Sequence, residues 1–109
     1  MKMLLFEVSA TDSICIPAEN VYMIEATGAN AGALYFHPGG ITAGDAKNGS
    51  VVFNSSTGNL TACITELGNI LNSNMPLGGV IEVANTTAAR THKGLPSLVL
   101  TNLAIAVTQ

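Results

Sequence analysis

Asn59-Leu60-Thr61-Ala62-Cys63-Ile64-Thr65-Glu66-Leu67-Gly68-Asn69-Ile70-Leu71-Asn72-Ser73 is the one convincing helical pattern in the chain. Leu60, Cys63, Ile64, Leu67, Ile70 and Leu71 recur three and four residues apart and form a single apolar stripe, while Thr61, Thr65, Glu66 and Asn69 face the other way. Asn59, or Thr57, stands where a side-chain oxygen accepts a hydrogen bond from an unpaired N–H of the first turn. Asn72-Ser73-Asn74 and Pro76 end the run, so the spacing predicts a helix over 60–73. Gly68 weakens its interior by about 1 kcal/mol relative to alanine, a cost that either allows close packing against a sheet or is simply tolerated. One apolar stripe needs a sheet to bury it, and the rest of the chain reads as strands and turns.

Upstream, Leu4, Phe6 and Val8 alternate with Leu5, Glu7 and Ser9, the period of a strand with one buried face, over 3–9. Ile14-Cys15-Ile16 makes a short strand stopped by Pro17. Val21 to Ala26 and Ala33 to His37 form a hairpin across the small polar run Thr27 to Gly32, and Val51 to Asn54 is a fifth strand. The glycine- and asparagine-rich run from Pro38 to Ser50 is a long loop. Downstream of the helix, Val80 to Ala84 is a sixth strand and Asn85 to Ser97 a second loop. Leu98 to Val107 is a long strand whose Val99, Leu103, Ile105 and Val107 share a face with Thr101 among them. The fold expected is mainly β with one helix: an antiparallel, six- to seven-stranded partly open barrel or sandwich, covered on one side by the helix.

The chain has 109 residues, 48% hydrophobic and only 10% charged, which is one domain of 1–109 with a core of its own and excludes charge-driven disorder. Four Lys/Arg against seven Asp/Glu leave a net charge of −3. Lys2, Lys47, Arg90 and Lys93 are spread apart except for the last two, which disfavours binding to a phosphate backbone. The longest apolar runs are far below the ~20 residues a membrane helix needs. Met1-Lys2-Met3-Leu4-Leu5-Phe6 begins like a signal peptide, but Glu7 interrupts it and no cleavage site follows a long apolar region. The expected location is therefore cytoplasmic or virion-associated. Cys15 and Cys63, each among apolar neighbours, are expected as buried thiols without a disulfide. Asn48, Asn54, Asn59 and Asn85 each begin an Asn-x-Ser/Thr match and are expected as turn and cap residues.

Side chains that carry chemistry are sparse. His37 with Asp45 offers half of a metal or catalytic site, and nothing at ligand spacing completes it. Arg90, His92 and Lys93 make a small basic loop able to donate to an anion, and the alternative function expected is a small-ligand or nucleic-acid binding module that uses it. Glu7, Glu25, Glu66 and Glu82 lie in separate elements, and no spacing pairs them for acid/base work. Gly39-Gly40 and Gly78-Gly79 do not match a phosphate-binding loop. The expectation is a protein that is not an enzyme and uses no cofactor or metal.

Ser13-Ile14-Cys15-Ile16-Pro17-Ala18-Glu19-Asn20-Val21-Tyr22-Met23-Ile24-Glu25-Ala26 resembles the opening of LytTR-type DNA-binding domains, where a short strand, a turn and a strand ending in an Ile-Glu-Ala-like stretch precede a hairpin. As a whole the chain is similar to small β-rich proteins of unknown function encoded by marine tailed phages and their bacterial hosts. These share an early strand pair with an Asn-Val-x-x-Ile-like stretch, a Gly/Asn/Thr-rich middle and one late helix. That resemblance implies a virion component or accessory protein.

The last expectation is self-association. Residues 98–107 contain no charge and no proline, the two common devices that keep an edge strand from pairing with another chain. The strand is expected to be central in its own sheet or paired across an interface between copies, with Val99, Thr101, Leu103, Ile105 and Val107 at the contact and the first strand near it. The monomeric alternative pairs it internally with strand one.

Overall fold

A computed structural model describes residues 2–37, 49–72, 79–92 and 98–107, with the backbone but not the side chains at 100–102. The strands are β1 (Met3–Ser9), β2 (Asp12–Pro17), β3 (Val21–Ala26), β4 (Ala31–Phe36), β5 (Gly49–Ser55), β6 (Val80–Asn85), β7 (Arg90–Thr91) and β8 (Leu98–Val107). A short 3-10 turn, Ala18–Asn20, joins β2 to β3, and the helix α1 spans Leu60–Asn72. Its predicted last residue, Ser73, lies outside the described residues.

The strands form two four-stranded sheets, one ordered β2-β1-β6-β7 and the other β3-β4-β5-β8. They are not closed into a barrel, so of the two architectures expected the sandwich is the one adopted. The described strand pairs are antiparallel except β1 with β6, which run parallel. A parallel pair needs a long crossover, and here the connection from β1 to β6 passes through β2, three strands of the other sheet and α1.

Both sheets and the helix bury their apolar faces in one cluster. The first sheet contributes Leu4, Phe6, Ile16, Ile81 and Val83, the second Leu34, Phe36, Val51 and Phe53, and α1 contributes Cys63, Leu67 and Ile70 from the predicted stripe. The helix touches β3, β4 and β5. Lys2 Nζ fixes its far end by donating to the carbonyls of Ile70 (2.9 Å) and Leu71 (2.5 Å). This satisfies two of the last-turn carbonyls and sets a cation at the negative end of the helix dipole.

Several expectations change. Cys63 is buried, but Cys15 is exposed, and no disulfide joins them. Alternation along β2 is the reason: Ile16 is buried and Ile14 packs on the core, so the residue between them points outward. Gly68 is not a packing glycine, because a Cβ built there meets nothing within 4 Å. The segment read as an unbroken loop from Asn85 contains β7, whose Arg90 and Thr91 pair with Asn85 and Ala84. The strand β1 lies between β2 and β6, so both its hydrogen-bonding edges are used within the chain and it is no edge for a partner. Asn59 accepts the Cys63 N–H on its backbone carbonyl (2.9 Å), while its side-chain nitrogen donates to Ser56 Oγ (2.8 Å).

The face expected of β8 also breaks in the middle. Its pairing with β5 slips between Val52↔Ala104 and Asn54↔Val99, where β8 advances by an odd number of residues more than β5. An odd excess moves the following side chains to the other face. Leu98 and Leu103 are therefore both in the core, and Val99 does not share a face with Leu103, Ile105 and Val107.

Candidate functional site

β8 is the end strand of its sheet. Its pairing partner is β5 on one side, and among the described residues no strand pairs with the other. The strand runs ten residues without a charged side chain or a proline, two of the usual protections of a sheet edge, and its one described irregularity is the slip against β5. The internal pairing with β1 does not occur, since β1 is flanked by β2 and β6.

The five side chains expected at the contact are differently placed. Leu103 is 5% exposed and belongs to the core, and Ile105 and Val107 are half-buried against it. Val99 is half-buried, and the side chain of Thr101 lies outside the described residues. The residues that β8 turns outward include Ala104 and Ala106, both exposed and small. The edge thus offers backbone donors and acceptors flanked by methyl groups.

The basic loop is only partly assembled. Arg90 on β7 reaches across the hairpin to Glu82 on β6: Nε donates to Oε1, and Nη2 donates to Oε2 at 3.1 Å. Asn85 Nδ2 donates to Oε2 as well (3.1 Å). The Arg90 guanidinium beside it, with Asn85, holds the Glu82 carboxyl down at about 2, and the same pairing raises Arg90. The cation on which anion binding would rest therefore already has a carboxylate partner. His92 is half-buried, its backbone N–H donating to the Val83 carbonyl (2.9 Å). Lys93 lies outside the described residues, as does Asp45, the partner proposed for His37.

A cavity of about 440 Å³ lies between the C-terminal half of α1 and the 3-10 turn, with Lys2, Glu19, Val21, Gly68 and Leu71 on its walls. The Lys2 ammonium there is held by the helix carbonyls. A second cavity, about 290 Å³, opens between β2 and the ends of β4 and β8, with Cys15, Ile16, Pro17, Phe36, His37 and Val107 around it. No group of three His, Cys, Asp or Glu able to hold a metal is present among the described residues. None of the described helices is long and apolar enough to cross a membrane.

Sequence reasoning missed one cluster. Tyr22, Tyr35 and His37 form a row of rings on the outer side of the β3–β4 hairpin. The Tyr22 ring stacks on His37 at a centroid distance of 4.5 Å and 22° between planes, and on Tyr35 at 6.2 Å and 28°. Tyr35 Oη donates to Glu25 Oε1 (2.8 Å), a bond that raises the phenol above its ordinary pKa. The signal available in the sequence was the pair of tyrosines in facing strands. What hid it was a β-bulge at Tyr22 that no residue in the stretch announces.

Comparison with protein-family models, with curated proteins and with solved structures finds no match to this chain.

Proposed function

We propose that this chain is a non-enzymatic structural or interaction protein that assembles with copies of itself. The observation that supports this reading is β8 lying at the end of a sheet with ten uncharged, proline-free residues. Antiparallel pairing of two β8 strands about a twofold axis would continue the second sheet across both copies and satisfy both edges at once. The resemblance in element order to small β-rich phage proteins supports a virion or accessory role, in which repeated copies of one small fold are joined edge to edge.

The test is a pair of substitutions on the outward face, Ala104→Lys and Ala106→Lys. Both positions are exposed, so the protomer should tolerate the change within about 0.5 kcal/mol. Across a twofold joint they oppose like charges and disfavour pairing. The double variant is expected to keep the circular dichroism spectrum of the parent and to run as a monomer where the parent is associated. An associated double variant would refute the β8 joint.

A further inference from the structure

The chain contains three Phe, two Tyr and no Trp, and the structure separates them completely. Phe6, Phe36 and Phe53 are fully buried, whereas both tyrosines lie on the outer face of the β3–β4 hairpin. A register slip sets them there. Val21 pairs with Phe36 and Met23 with Tyr35, so Tyr22 is an extra residue in β3. Such a bulge re-aims side chains: Tyr22 and Met23 are both turned out, 48% and 43% exposed. A hairpin needs no second outward ring to satisfy its ladder, and burial does not account for one left half in solvent.

The row is held at both ends. Glu25 is tied to Tyr35 Oη at one end. At the other, the His37 N–H donates to the Asn20 carbonyl (2.9 Å) and Asn20 Nδ2 donates to the His37 carbonyl (3.0 Å). A carboxylate accepts about four hydrogen bonds, and the Tyr35 hydroxyl takes one of those places. We infer that Tyr22, Tyr35 and Glu25 form a binding site for a guanidinium group, the arginine side chain of a partner protein. Ring faces attract a cation, a planar guanidinium stacks on them, and its N–H fork matches the carboxylate beside them. A phosphate or carboxylate ligand would be repelled by Glu25. The chain's single arginine, Arg90, is already paired with Glu82 at the surface, so a second copy would supply the group only by exchanging that pair, whereas an unpaired arginine of another protein gives up nothing. The partner proposed is therefore a different protein, and β3 and β8 stand at opposite ends of their sheet.

Because the chain has no Trp and both tyrosines lie in the row, tyrosine fluorescence reads this site directly. The probe is N-acetyl-arginine amide, with its uncharged isostere N-acetyl-citrulline amide as control. The arginine probe should change the fluorescence saturably, and the citrulline probe should bind far more weakly. Glu25→Gln keeps an acceptor for Tyr35 and removes the charge, and should weaken binding by about tenfold, the loss expected of one charge-assisted hydrogen bond. Tyr22→Ala, at an exposed position, should weaken binding similarly, followed by the chemical shifts of the Tyr35 ring. Equal binding of both probes, no saturable change, or full affinity in Glu25→Gln would overturn the assignment. So would preferential binding of a neutral saccharide such as maltose over the arginine probe.

Discussion

Gly32 and Gly68 differ in what a methyl group would meet. At Gly68, inside α1, the space within 4 Å is empty, and glycine brings only its cost in backbone freedom. Gly68→Ala is expected to stabilise the fold by about 1 kcal/mol, read as a higher urea midpoint with an unchanged slope. At Gly32 a Cβ would stand 2.7 Å from the Phe53 ring and 3.0 Å from the Glu25 carbonyl oxygen. Phe53 is fully buried and has nowhere to move, so Gly32→Ala is expected to destabilise by about 1–3 kcal/mol through overpacking, measured in the same urea titration. The Glu82 carboxyl makes a prediction in pH. Its folded pKa lies near 2 against an ordinary 4.5. The stability it contributes is thus complete above the ordinary value and is lost as the pH falls through that interval. Stability measured between pH 5 and 2 should fall less steeply in Glu82→Gln than in the parent, and identical slopes would count against the pairing with Arg90.

Elements with a clear period were legible. Leu4 and Phe6 in β1 and Cys63, Leu67 and Ile70 in α1 are buried as their spacing requires. The helix needs its sheet, and Leu67→Ala, which empties a fully packed position, should cost about 2–5 kcal/mol, followed by thermal unfolding. The same alternation read along β2 would have turned Cys15 outward, since Ile14 and Ile16 claim the inner face. The apolar neighbours of Cys15 in the chain outweighed it. Other features left no local mark. The bulge at Tyr22 and the slip in β8 depend on which strand lies alongside, which is set by the whole sheet and not by the residues concerned. The parallel pairing of β1 with β6 joins segments more than seventy residues apart. The two-residue β7 is too short to show any period, and with it the Glu82–Arg90 pair stayed hidden. Of the candidate sites, the edge strand was visible from its missing charges, while of the aromatic row only the two tyrosines in facing strands were, and not the bulge that aligns them.

On the scale of the molecule, a chain with 10% charged residues has little with which to protect its surface. Sheet edges decide what happens to it. The first sheet ends in β2, which carries Asp12 and Pro17, and in the two-residue β7. In the second sheet, β3 carries Glu25 and the Tyr22 bulge. These are the devices by which edges avoid one another. β8 has neither charge nor proline, its irregularity being the slip against β5 between Val99 and Ala104, and it is the longest described strand, so edge pairing between copies is expected there and not at the other three. Ala104→Lys with Ala106→Lys should abolish association, whereas a charge added to the exposed Ala62 on α1 should leave it intact. The most direct measurement is sedimentation equilibrium of the unmodified protein across the micromolar range. A mass of at least twice the 11.2 kDa of the chain is the result this account predicts. A mass that stays near 11.2 kDa at every concentration would contradict it.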